Sequence, residues 1–149
     1  MIRTADPHDS TQIAGILSGF IDATSWMPRL YSRAEELCFA DTLIRDHTTY
    51  VYISGTKEVL GFITLKPPEV LCLYVHPNHL RKGIGQALLQ AAQNSNATLE
   101  LFTFQANAPA RAFYAAQGFQ ELSFTQGEND EGLPDVKLRW TKQPQRTLA

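Results

Sequence analysis

The chain has 149 residues, about one domain's worth, and a domain of that size buries roughly 68–70% of its unfolded surface, enough for one proper core. Apolar residues make up 44% and charged residues 19%, an ordinary globular balance with no run near the ~20 apolar residues of a membrane span. The formal net charge of -2 excludes a nucleic-acid binder working by bulk positive charge, so an anionic ligand has to be met by a local group of cations.

The opening residues, MIRTADPHDS, lack the apolar stretch of a secretory signal, and a cytoplasmic location is the expectation. Met1 to Ala5 reads as a short strand, broken by Asp6-Pro7. Ile13, Ile16, Leu17 and Phe20 recur at helical spacing and predict a first helix from Asp9 to about Ala23. Thr24 to Tyr31 is an aromatic-rich loop. Ser32 with Glu35 resembles a capping box, and Leu37, Ala40, Leu43 and Ile44 give a second stripe running to about Asp46.

The pattern then turns to strands. Thr49–Ser54 and Val59–Lys66 flank the turn at Gly55–Glu58, and Pro67-Pro68 ends the second of them. EVLCLYV, Glu69 to Val75, is nearly all apolar, as expected of a strand covered on both faces. After the glycines at 83 and 85, Ile84, Leu88, Leu89 and Ala92 form one helical face, ended by turn formers at Asn94–Ala97. Thr98–Phe104 is a strand and Asn107–Gln117 a helix, with Gly118 suited to its left-handed C-terminal position. Phe119–Phe124 and Asp135–Trp140 are two last strands around the polar loop TQGENDEGLP. Cys38 and Cys72 match no metal or redox spacing and read as small core residues.

The order is βααβββαβαββ. The unit from Glu69 to Phe104 predicts parallel strands with a right-handed crossover, and the hairpins on either side predict antiparallel pairs. The expected fold class is α/β in the α+β sense: one domain over residues 1–142, a mixed, mostly antiparallel sheet of six or seven strands, helices on both faces, and a flexible end at 143–149.

The segment HLRKGIGQALL, His79 to Leu89, places two cations and two glycines at the mouth of a helix. A helix N-terminus carries unpaired N–H groups and partial positive charge, and glycine lets a ligand approach them, so a phosphate is one reading. Turning glycines beside solvated cations is the other. A Walker loop and a dinucleotide fingerprint both fit badly: the Gly-Lys spacing is wrong for the first, and Leu88 stands where the second needs glycine.

LYVHPNHLRKGIGQALL, Leu73 to Leu89, resembles the acyl-CoA-binding motif of the GNAT superfamily of N-acetyltransferases, Gln/Arg-x-x-Gly-x-Gly/Ala, with Leu80 where Gln or Arg is usual. NAPARAFYAAQGF, Asn107 to Phe119, is similar to that family's following helix. The resemblance implies transfer of an acetyl group from acetyl-CoA to a primary amine of a small molecule or peptide, by direct attack in a ternary complex. A non-catalytic acyl-CoA sensor is the alternative.

It implies further that Glu69–Val75 and Thr98–Phe104 splay apart around the pantetheine arm of coenzyme A. Main-chain groups of Leu73 and Val75 would pair with the arm, and Asn107 would contact it from the other side. The amides of Arg81, Lys82, Gly83, Ile84, Gly85 and Gln86 would hold the diphosphate. Tyr114 stands at the family's position for the proton donor to the departing thiolate, and it also reads as helix packing. Glu69 is the candidate base, and also reads as a solvated strand-start carboxylate. His76 and His79 lack the further ligands that a metal site needs, so no metal is expected. Trp26, Met27, Arg29, Tyr31 and the loop from Glu128 to Glu131 would wall the acceptor pocket. Members of that family often pair, which makes a homodimer one expectation; no nucleic-acid or membrane partner is expected.

Overall fold

A computed structural model of the chain describes residues 1–143. The elements are β1 (Ile2–Thr4), a 3-10 turn (Pro7–Asp9), α1 (Ser10–Ala23), α2 (Arg33–Asp46), β2 (Thr48–Ile53), β3 (Val59–Lys66) and β4 (Glu69–Val75). A second 3-10 turn (Pro77–His79) leads to α3 (Ile84–Ser95), β5 (Thr98–Phe104), α4 (Ala108–Ala116), β6 (Gln120–Phe124) and β7 (Asp135–Thr141). This is the expected order. The end expected to be flexible falls, from residue 144 on, outside the described residues. No helix among the described residues is long and apolar enough to cross a membrane.

All seven strands form one sheet in the order β1-β2-β3-β4-β5-β7-β6. Among the described residues only β4 and β5 run parallel; the other neighbours are antiparallel. Two cores sit on its two faces. One gathers Ile13, Ile16 and Leu17 of α1 and Leu43 of α2 over Val51, Phe62 and Cys72. The other gathers Leu88 and Leu89 of α3 and Tyr114 of α4 over Ile63, Leu99, Leu101, Val136 and Leu138. The period-two alternation of each strand serves both cores at once.

Local chemistry explains the helix ends. Ser32 Oγ accepts from the Glu35 N–H at 3.1 Å while Glu35 Oε1 accepts from the Ser32 N–H at 3.0 Å, the expected capping box. Gly118 has φ 91°, the left-handed conformation expected after α4.

Three expectations need correction. In α2 the buried face is Glu36, Ala40 and Leu43, not a stripe through Leu37, which is exposed. The helix is rotated because Glu36 is drawn inward by Arg29, whose guanidinium donates to both its oxygens at 2.9 Å. Cys38 is rotated outward with it and is exposed, whereas Cys72 is buried as expected. In β4, Leu71 is exposed, so the strand is not covered on both faces along its length.

Candidate active site

The parallel neighbours β4 and β5 pair at one register position, Glu69 with Glu100, where the Glu100 N–H also donates to the Pro68 carbonyl at 2.8 Å. Beyond it the strands diverge. On the other side of β4 the His76 N–H donates to the Leu60 carbonyl at 2.7 Å, and the register places Val75 opposite Gly61 and Leu73 opposite Ile63. Main-chain groups alternate in direction along a strand, so Tyr74 and His76 point theirs at β3 while Leu73 and Val75 point theirs into the gap. The residues expected to pair with an extended ligand thus have free backbone groups on the correct edge.

A β-bulge decides which side chains share a face. The β3–β4 register runs Lys66 with Glu69, Leu65 with Val70, Thr64 with Cys72 and Ile63 with Leu73, which leaves Leu71 as the extra residue. Glu69 therefore joins Cys72 and Tyr74 on the α1 side of the sheet, while Val70, Leu73 and Val75 face α3 and α4. Glu69 is exposed at the closed end of the gap, beside Glu100. Glu100 is held below the ordinary carboxylate range, first by Lys137 at 3.1 Å and then by Arg139.

At the other end of β4 the chain turns through Arg81 (φ 62°) and Gly83 (φ 81°) into α3. Left-handed residues so close together turn successive N–H groups inward, a concavity that takes anions. The first helical bond of α3 runs from Ala87 N–H to the Gly83 carbonyl, and no side chain caps the end. The four N–H groups of Gly83, Ile84, Gly85 and Gln86 are left without helical acceptors. Arg81 and Lys82 are exposed without a carboxylate partner among the described residues; Lys82 Nζ lies 3.3 Å from His79 Nδ1. Leu80 is exposed and, being apolar, offers no polar side-chain contact in place of the usual Gln or Arg. His76 caps its 3-10 turn by accepting from the Asn78 N–H at 3.1 Å.

Asn107 caps α4, its side-chain oxygen accepting from the Ala110 N–H at 3.1 Å. Tyr114 is buried between Phe113 and Phe119. Among the described residues its hydroxyl has no hydrogen-bond partner, and every fully enclosed side-chain polar atom there has one, so this oxygen is not fully enclosed. Burial pushes the phenol well above its ordinary value, with a smaller contribution from Cys72, which lies close enough to be felt. The packing reading of Tyr114 accounts for its ring and leaves its oxygen free.

The α1 side of the gap is bridged by aromatic rings. Tyr74 of β4 packs on Phe20 at 5.2 Å, Phe20 on Trp26 at 6.5 Å, and Trp26 on Phe104 of β5 at 5.7 Å between ring centres. The loop carrying Trp26 also meets the β6–β7 loop, where Tyr31 Oη donates to Asp130 at 2.9 Å. The two loops expected to wall the acceptor pocket are thus joined. Arg29 stands apart from this wall: Glu36, Asp22 and Ser18 engage its guanidinium, which fixes the loop in place. Sequence reasoning missed Tyr74, whose phenol is raised by burial and feels Cys72, Tyr114 and Glu131. Its signal was a polar-tipped ring within an otherwise apolar strand. A shallow hollow of about 720 Å³ on the flank of α4, lined by Arg111, Ala115, Phe119 and Glu121, contains none of these residues.

A sheet parted beside a turn of free amides is an arrangement suited to an acyl-CoA-dependent transferase, and comparison with known proteins identifies that class. The family described as "Acetyltransferase (GNAT) domain" matches residues 45–121, and the chain belongs to it. It is 32% identical over 145 residues to the peptidyl-lysine N-acetyltransferase YiaC of Escherichia coli K12, covering 94% of this chain and 96% of that one. Apo-form YjaB of Escherichia coli shares the fold with a TM-score of 0.79 at 20% identity, covering 94% of this chain and 96% of YjaB. YncA of Salmonella typhimurium, solved with acetyl-CoA, gives a TM-score of 0.73 at 18% identity over 100% of this chain and 97% of its own. The protein is an acetyl-CoA-dependent N-acetyltransferase.

Proposed function

We propose that the acceptor is a slender alkyl amine of the lysine type, carried on a peptide, and that it attacks directly while acetyl-CoA is bound. The observation that carries this reading is the aromatic bridge from Tyr74 to Phe104 on the α1 side of the gap, with Asp130 and Glu131 at its edge. Aromatic faces and carboxylates together favour an ammonium on a flexible apolar stem. The name of the similar YiaC, a peptidyl-lysine N-acetyltransferase, supports the same acceptor class.

Bound acetyl-CoA supplies an activated acetyl group as a thioester. The free amides of Gly83 to Gln86, with Arg81 and Lys82 beside them, suit its diphosphate. The main-chain groups of Leu73 and Val75 offer its extended arm the ladder that β5 has vacated, and the Asn107 side-chain N–H groups, unused in capping, face the same task from α4. The Val75 N–H is a fixed donor for charge developing on the acyl oxygen. Tyr114 Oη keeps its proton throughout the neutral range, because burial disfavours the phenolate, and delivers it to the departing sulfur.

A lysine-type amine has a pKa near 10.4 and reaches the site protonated. Glu69 takes that proton through water, since four residues of strand, about 13 Å, separate it from Leu73. Glu100 beside it stays ionised through Lys137 and Arg139.

Release of free CoA with a panel of alkyl amines and lysine peptides tests the acceptor class; no release with any of them refutes it. Tyr114→Phe is expected to lower turnover at least about tenfold while calorimetry shows undiminished acetyl-CoA binding. Unchanged turnover removes Tyr114 from the chemistry.

A further inference from the structure

The α1 side of the sheet is only half covered. Helices α1 and α2 lie over β2, β3 and β4, and no residue of β5, β6 or β7 belongs to the core beneath them. Leu99, Leu101, Val136 and Leu138 turn to the opposite core, so Glu100, Phe102 and Phe104 of β5 and Lys137 and Arg139 of β7 face the uncovered side. Phe102 is 58% exposed there, on the strand that borders the gap. Phe102 extends the aromatic row of Trp26 and Phe104 onto this face, and a contiguous apolar row rather than a lone ring marks a docking surface.

This surface is continuous with the acceptor mouth. Phe104, the β5 residue on which Trp26 packs, is followed back along the strand by Phe102 and then Glu100. Successive outward residues lie about 7 Å apart, the side-chain repeat of an extended polypeptide. The charges are also graded. Asp130 and Glu131 stand at the mouth, Lys137 lies 6.0 Å from the Phe102 ring centre, and at the far end the three cations Lys66, Lys137 and Arg139 outnumber the two carboxylates Glu69 and Glu100. An excess of positive charge therefore sits at the end far from the mouth. A small amine held at Phe104 has no use for groups about 7–14 Å further along β5, a span of about two to four residues.

We propose that the uncovered face of β5 and β7 docks the polypeptide around the acceptor lysine, with Phe102 seating an apolar side chain two residues from that lysine and Arg139 attracting a carboxylate four residues from it. This rests on the lysine-acetylation reading above and adds to it a flanking-sequence preference.

The test uses the full chain with CoA and two fluorescent pentapeptides, Lys-Ser-Leu-Ser-Asp and its reverse, which sample both chain directions on the face. Anisotropy is expected to show one peptide binding at least about tenfold more tightly than its Leu→Ser form. Phe102→Ala should abolish that difference, and Phe102→Trp should keep it. In steady state, Phe102→Ala should raise KM for the peptide by the same factor and leave Nα-acetyl-lysine amide unchanged. Equal peptide affinity in wild type and Phe102→Ala overturns the proposal, as does an equal loss with both substrates. Conversion of a dimer to a monomer by Phe102→Glu, read by light scattering, also overturns it by assigning the face to a second copy. Anisotropy needs no turnover, so a chain that binds the peptide but releases no CoA refutes the acetylation reading while the docking surface stands.

Discussion

Two thiols show how place sets chemistry at the residue scale. Cys72 lies under α1 among apolar side chains, and burial pushes its pKa up to about 12. At pH 7–8 it is a thiol, not a nucleophile, which argues against a covalent route through it. Cys38 is exposed on α2. Titration of native protein with a thiol reagent should therefore count one fast cysteine, and a second only after denaturation. Fast labelling of both would show that the face around Cys72 opens. Tyr74 and Glu69 make a related point. The three residues 69, 72 and 74 share a face only because Leu71 is a bulge, and strict alternation counted along the strand would put Glu69 opposite Cys72.

At the scale of elements, β3 and α3 are held close by a missing side chain. A Cβ on Gly61 would stand 2.9 Å from Ile84 Cγ2 and 3.1 Å from the Tyr74 carbonyl oxygen. Neither is the free end of a flexible side chain, so Gly61→Ala should shift α3 and cost about 1–3 kcal/mol. Since α3 carries at its start the free amides proposed to hold the diphosphate, the same variant should weaken acetyl-CoA binding. Denaturant unfolding and calorimetry read the two effects; a variant as stable as wild type would mean that α3 yields without strain. The turn into α3 was legible because glycines and cations beside a periodic apolar run are local signals. The rotation of α2 was not, because its cause, Arg29 reaching Glu36, lies in the preceding loop.

For the whole molecule, stability in acid follows from paired carboxylates. Asp9, Asp22, Glu100 and Glu121 are each held below the ordinary range, in every case first by a hydrogen-bonded cation: Arg3, Arg29, Lys137 and Arg111 respectively. A depressed folded-state pKa means that the unfolded chain binds protons first, so this stability is present above the ordinary carboxylate value near 4 and is lost as pH falls through the folded values. The melting temperature should be nearly level from pH 6 to 8 and drop below about pH 4. Asp9 is the most buried of these carboxylates and takes two hydrogen bonds from Arg3, at 2.8 and 3.0 Å. Asp9→Asn should cost about 1–3 kcal/mol at neutral pH and flatten the acid limb. An unaltered acid limb would place the loss elsewhere.

The order of elements, the glycine turn into α3, the capping box and the candidate donor Tyr114 were all legible in the sequence alone, because helical and strand periods, turn residues and short motifs are carried by neighbours in the chain. Only the tertiary structure decided where β4 and β5 part, which face Glu69 joins, that β7 lies between β5 and β6, and that Tyr31 meets Asp130 across 99 positions of sequence. Those features depend on which distant segments come together and in what register, and a one-residue slip in register exchanges the two faces of a strand.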